Sequence, residues 1–293
     1  MASLARARLC VLLAALLWST SGAFTKVLRE NTGLGLNEPS IDPLSIAFWR
    51  VVFAATVLLP MVRRQEFTFR PALWLTGLAF ALMNALFVSA MALGSSANTI
   101  LLQYTAPMWV YLICVGLLRE PAEPRGTVTL MIGLAGVGIL LCGGWTGSQL
   151  PSLGLALGSG LAYAFVMIGL RVQRGESPRW VTAFNHLLSA IVLLPIIWHH
   201  PLPSWPQFGV LFLYGGVQMS LPYCLLAVAL RRLSPQEAGT LTLIEPVLNP
   251  IWAYLASPAT ETPTVGTLIG GGCILGALMW RYWPGRVTKN DEG

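Results

Sequence analysis

Phe48 with Thr56-Val57-Leu58-Leu59-Pro60, and Phe184 with Ile191-Val192-Leu193-Leu194-Pro195, are two copies of one pattern set about half a chain apart. Each copy lies in an apolar stretch long enough to cross a bilayer, for which about 20 residues are needed. Ten such stretches follow one another, near 9–28, 43–62, 71–94, 97–118, 125–144, 152–173, 179–198, 207–230, 238–257 and 264–283. They divide into two runs of five with landmarks in a common order. Ala106-Pro107 answers Glu245-Pro246 in the fourth stretch, Glu120 and Glu261 close it, and Gly126-Thr127 with Gly136 answers Gly266-Thr267 with Gly276 in the fifth. An odd number of crossings per repeat forces the halves into opposite orientations. The sequence therefore predicts an all-α integral membrane protein of ten transmembrane helices in two inverted five-helix repeats, residues 1–147 and 148–293, the usual construction of a secondary transporter.

Composition leads to the same place. Of the 293 residues, 55% are hydrophobic and 10% charged, where a globular protein has about 25% charged, so no separate soluble domain fits. The net charge of +6 is spread between apolar runs rather than along one face, which excludes a nucleic-acid partner. With the N-terminus in the cytoplasm, the inner loops and ends collect Arg6, Arg8, Arg63, Arg64, Arg70, Arg119, Arg125, Arg171, Arg174, Arg179, Arg231, Arg232, Arg281, Arg286 and Lys289, against Lys26 and Arg29 outside. That bias obeys the positive-inside rule and places both termini on the cytoplasmic side. Arg6 and Arg8 before an apolar run resemble a signal peptide, but apolar character continues through Ala23 and Phe24, and the stretch is read as the first span. The five scattered cysteines (Cys10, Cys114, Cys142, Cys224, Cys273) lack metal-binding or redox spacing and read as packing. His199 and His200 lack further ligands, so no metal is expected.

Several segments resemble the EamA family of the drug/metabolite transporter superfamily. They are Leu16-Leu17-Trp18-Ser19 with Lys26, Phe48-Trp49-Arg50, Tyr104-x-x-Pro107, Ile244-Glu245-Pro246-Val247, and the acidic residue followed by a Gly-rich last helix in both halves. The resemblance covers nearly the whole chain. It implies a basket of ten helices around a central cavity, lined mainly by the first four helices of each repeat, with the fifth and tenth at the periphery. It also implies export of amino acids or other metabolites, commonly driven by proton exchange.

Charge inside hydrocarbon costs at least ~2.5–3.5 kcal/mol, so ionisable residues within spans are functional candidates. They are Arg50, His186 and Glu245. At 1.5 Å per residue, Arg50 lies roughly 10 Å below the outer surface and the other two roughly 10 Å above the inner one. Repeat symmetry sets His186 at the place of Arg50, and each is expected to face a polar group on its own repeat's fourth helix: Gln103 for Arg50, Glu245 for His186. Glu245 reads either as the proton-coupling site or as a carboxylate bracing the ninth helix. His186 reads as a proton relay or a hydrogen-bonding packer. Arg50 stays charged and reads as an interhelical brace or an attractor of a substrate carboxylate. Among the uncharged polar residues, Asn84, Gln103 and Gln218 are the substrate-contact candidates, with the aromatics Tyr104, Trp18 and Tyr163. The last two fall mid-span at matching places and form either an aromatic floor or ordinary packing. Trp145, Trp180, Trp198, Trp205, Trp280 and Trp283 read as interfacial anchors.

Pro107, Pro246 and Pro250 interrupt the helical ladder and are candidate gating hinges. The glycines of the fifth and tenth spans form a helix-packing face, with homodimerisation as a further use. The expected function is export of amino acids or related amphiphilic compounds across the inner (cytoplasmic) membrane by alternating access. Its partners are a small-molecule substrate, protons and the lipid bilayer; no cofactor is expected, and without a P-loop the drive falls to protons. An uncoupled facilitator or channel of the same fold is the alternative. An intramembrane enzyme would need a set such as H-E-x-x-H, G-x-S-x-G or paired aspartates, and none occurs.

Overall fold

The structure is a computed structural model describing residues 2–143, 149–233 and 235–282. Trp145, Trp283, Arg286, Lys289 and the expected repeat boundary lie outside the described residues. Among the described residues every regular element is helical: α1 (Ala2–Ser19), α2 (Ser21–Arg29), α3 (Pro43–Leu58), α4 (Pro71–Leu93), α5 (Ser96–Gln103), α6 (Ala106–Gly116), α7 (Pro124–Gly143), α8 (Leu150–Val172), α9 (Pro178–Ile197), α10 (Trp205–Phe212), α11 (Ser220–Ala229), α12 (Pro235–Thr242), α13 (Glu245–Ala256) and α14 (Val265–Tyr282). Eight helical stretches are long and apolar enough to cross a membrane, from Leu4–Arg29 to Trp205–Leu226. The other two expected crossings are less apolar. The α12–α13 pair carries Glu237 and Glu245, and α14 holds five glycines and ends near Arg281.

Proline sets many of the helix starts. Pro43, Pro71, Pro124, Pro178 and Pro235 are first residues, where the missing N–H costs nothing, and the Asp42 side chain accepts from the Leu44 amide at 2.8 Å to cap α3. Proline also explains two breaks. Its ring excludes the carbonyl four residues back, so the fourth expected span parts at Tyr104–Thr105 before Pro107 and the ninth at Leu243–Ile244 before Pro246. The first expected span is also divided, at Thr20. There the Ser19 and Thr20 hydroxyls donate to the Leu16 and Leu17 carbonyls at 2.7 and 2.6 Å, competing with the ladder. In the eighth, α10 and α11 are joined by a π-helical segment, Leu213–Val217, centred on Gly215 and Gly216.

Packing follows the order of the two halves. The α4 helix lies on α8 as α1 lies on α11, α5 lies on α8 as α12 lies on α1, and α3 meets α9 while α7 meets α14. At the last contact a Cβ on Gly136 would stand 2.7 Å from the Gly270 carbonyl oxygen, and one on Gly270 2.7 Å from that of Gly136. The glycine face therefore brings α7 and α14 together within the chain.

Candidate functional site

The broken helices enclose a cavity of about 380 Å³. Of the residues singled out from sequence, Trp18, Arg50, Gln103, Tyr104, Tyr163, His186, Gln218 and Glu245 line it. Pro107 lines a second cavity that shares Tyr104 and Tyr163. Pro246 and Pro250 lie in the first turns of α13, and Pro246 is buried. Asn84 is the exception. It is fully buried, outside the cavity wall, and its Nδ2 donates to the Ala47 carbonyl at 2.9 Å; its depth along α4 was legible, but its side chain is turned onto α3.

The expected pairings are also corrected. Arg50 turns not to Gln103 but across the repeats, donating from Nη1 to Tyr214 Oη at 2.7 Å, with its guanidinium over the Tyr214 ring at 4.9 Å and the Phe87 ring at 5.8 Å. Glu245 does not meet His186; Tyr104 Oη donates to its Oε2 at 2.7 Å. His186 donates instead from Nδ1 to the Thr182 carbonyl at 2.8 Å and lies between the rings of Phe80 and Tyr223, at 4.7 and 5.9 Å. Tyr223 in turn stands edge-on to Trp18 at 5.3 Å.

The break in the first span is held from the other half. Gln218 Nε2 donates to the Trp18 carbonyl at 2.9 Å, Asn249 Nδ2 to Ser21 Oγ at 2.8 Å and Trp252 Nε1 to Ser19 Oγ at 3.0 Å. Four buried polar atoms of the cavity wall have no hydrogen-bond partner among the described residues: Arg50 Nε, Asn185 Oδ1, His186 Nε2 and Gln218 Oε1. Buried polar groups are normally paired; these four belong to one wall, and others, such as Asn84 Oδ1 and Asn249 Oδ1, lie away from it.

The seat of Arg50 depends on Gly215. A Cβ there would stand 2.1 Å from the Arg50 carbonyl oxygen, and backbone cannot yield as a flexible side chain can. Gly215→Ala is expected to force the π-helical segment off α3, costing about 1–3 kcal/mol. A fall in the thermal unfolding midpoint of the purified protein checks this.

Two ion clusters stand at opposite ends of the bundle. At one, Lys26 Nζ meets Glu261 Oε1 at 2.7 Å and Glu30 Oε1 at 2.8 Å and donates to the Gly94 carbonyl at 2.9 Å. Glu261 also accepts from the Ser96 amide, and Glu30 from Ser257 and Thr260. The Lys26 and Glu261 side chains are 4% and 0% exposed. At the other end Arg171 meets Glu120 at 3.1 Å with the side chains 50% and 39% exposed. The cavity wall reaches this second end, where Leu170 and Leu230 are exposed. Burial raises the Glu261 pKa above its ordinary value of 4.5 even though Lys26 and the Ser96 amide oppose it. Glu30 is also desolvated, but the hydrogen bonds from Lys26, Ser257 and Thr260 outweigh that and hold it below 4.5.

A profile of the EamA-like transporter family matches residues 5–142 and 150–282. This chain belongs to that family. The EamA-like chain is similar to the Threonine/homoserine exporter RhtA of Escherichia coli (strain K12), with 26% identity over 242 residues, 79% of this chain and 73% of the relative. It is also similar to the Uncharacterized transporter YwfM of Bacillus subtilis (strain 168), with 25% identity over 82% of this chain and 81% of that one. An uncharacterized transporter of Archaeoglobus fulgidus is 24% identical over 91% of this chain and 93% of its own. A solved crystal structure shares the fold at a TM-score of 0.64, covering 94% of this chain and 96% of that chain at 18% identity. The protein is thus a multi-pass membrane transporter and not an enzyme.

Sequence reasoning missed two parts of this EamA-like transporter. Tyr214, the partner of Arg50, was indistinguishable from packing aromatics; the Gly215-Gly216 pair beside it was the available signal of close approach. Lys26 was read as an outer charge and as part of the family resemblance but not as an ion-pair partner, although a lysine in the last turn of a span and a glutamate closing the other half are the charges that can meet across the repeats.

Proposed function

We propose that the protein is a proton-coupled secondary exporter of small amphiphilic metabolites, amino acids or close relatives, working by alternating access in the bacterial inner membrane. The observation that carries this reading is one cavity lined by a cation, a carboxylate and aromatic rings that extends to one end of the bundle, with a buried ion cluster at the opposite end. In this reading ten helices cross the bilayer, α1–α2 to α7 forming one five-helix repeat and α8 to α14 the inverted second, and both termini are cytoplasmic. The exchange-symmetric packing of the two halves supports it. The Lys26 end is then the outer gate, closed, and the Arg171–Glu120 pair, its counterpart in the other repeat, borders the inner mouth. Pro107, Pro246 and Pro250 are the hinges on which the α5–α6 and α12–α13 halves tilt.

Within the cavity, Trp18, Gln103, Tyr104, Tyr163 and Gln218 contact substrate, Glu245 exchanges protons, and His186 presents an unpartnered Nε2 through which a proton can pass. The resemblance to a threonine/homoserine exporter supports amino-acid-like cargo. Purified protein in proteoliposomes is expected to accumulate an amino acid against its gradient when a pH step is imposed. Mere equilibration would make it a facilitator, and absence of flux across an amino-acid and metabolite panel would refute the reading.

A further inference from the structure

We infer that Arg50 receives the carboxylate of the transported molecule, so the cavity selects compounds bearing an acid group beside an apolar body. The inference rests on the cavity's being the transport site.

Arg50 is 3% exposed, so its guanidinium is a charge withdrawn from water. Such a charge is costly unless matched by an opposite one. The chain matches its other deeply buried cation, Lys26, with two carboxylates at 2.7 and 2.8 Å. Among the described residues no carboxylate forms an ion pair with Arg50. Its contacts are neutral: the Tyr214 hydroxyl at 2.7 Å, the Met219 sulfur at 3.5 Å, a weak acceptor, and the faces of Phe87 and Tyr214. Its Nε is buried without a partner. Ring faces and a phenol hold a guanidinium in place without neutralising it, and the Gly215 contact fixes the backbone beneath it.

The carboxylate in the same cavity does not fill the gap, because Glu245 is engaged by Tyr104. What remains beside Arg50 is a wall of Trp18, Phe80, Phe87, Met219 and Tyr223, which suits an apolar body. A fork of N–H donors in such a setting is the usual receptor for a carboxylate, and a site built around a buried charge discriminates strongly against a ligand lacking its complement.

The test is equilibrium binding to detergent-purified protein of amino, hydroxy and keto acids, each beside its primary amide and methyl ester. Wild type is expected to bind the acids about 10- to 100-fold more tightly than the neutral analogues, the span of a hydrogen bond to a charged group. Arg50→Gln is expected to erase that preference by weakening the acids far more than the amides, while Arg50→Lys restores part of it. A merely structural arginine would weaken acids and amides by the same factor. Equal affinity for acids and amides in wild type, with transport intact, overturns the Arg50 assignment alone. A wild type that neither binds nor moves any member of the panel overturns the transport-site reading with it.

Discussion

Replacing Glu245 with Gln is expected to reduce pH-driven accumulation to the level of protein-free liposomes while leaving substrate counterflow in place. The two activities separate because the variant keeps every feature of the site except titration. Gln retains an oxygen to accept from Tyr104 Oη, which now stands 2.7 Å from the carboxylate, and it occupies the same volume at the start of α13. The proline that follows continues to break the ladder, leaving the Thr242 carbonyl within 3.3 Å of the same Tyr104 hydroxyl. The junction between α12 and α13 is thus built independently of the proton. Tyr104→Phe should have a milder effect, since it removes a donor to Glu245 but not the acid. Full proton coupling in Glu245→Gln would remove Glu245 from its proposed role.

Breaking the ion cluster at the Lys26 end is expected to open that end of the cavity. Lys26→Ala leaves Glu261, whose side chain is 0% exposed, without its main counter-charge. Stranding one partner of a buried pair costs ~3–5 kcal/mol, close to the ~5.5 kcal/mol that inverts a 1:99 equilibrium. The conformer in which Glu261 meets water gains accordingly. A cysteine at Ser21, which lines the cavity, should label slowly with an impermeant thiol reagent added outside the native gate and at least about tenfold faster behind Lys26→Ala.

The pH dependence of that labelling has a definite sign. The Glu261 pKa is raised in the closed state, so closing takes up a proton. The resulting stabilisation is complete below 4.5 and fades as pH rises through the raised value. Glu30, held below 4.5, contributes in the opposite sense, but its effect is lost only as pH falls through its own lowered value. Between 4.5 and the Glu261 value, external acid should therefore slow labelling of the native gate and leave Glu261→Gln indifferent. Equal labelling of native and variant gates at every pH would show that the cluster is not a gate.

Much of this was legible in the sequence because hydrocarbon imposes simple rules. Apolar runs and prolines report directly on span length and helix breaks, so the breaks before Pro107 and Pro246 and the polar wall from Arg50 to Glu245 could be anticipated. Facing and partnership could not. Asn84 shares the depth of the cavity but is turned to the Ala47 carbonyl, because rotation of α4 is decided by its packing on α8, α9 and α3. Arg50 donates to Tyr214 rather than to Gln103 of its own repeat because Gly215 allows the π-helical segment to approach α3, and the glycine pair that signals a close approach does not name the partner. The Lys26–Glu261 pair likewise joins residues far apart in the chain and becomes visible only once the two halves are assembled.

Alternating access between the two ends is the centre of the account, and paired distances across both ends test it most directly. Spin labels at Asn31 and Thr262 report on the Lys26 end, and labels at Leu118 and Arg174 on the end bordered by Arg171–Glu120; all four positions are exposed. Measured by double electron–electron resonance in liposomes, addition of substrate with a pH step should lengthen the first distance and shorten the second. Distances that both stay fixed, or that lengthen together, would contradict alternating access around this cavity.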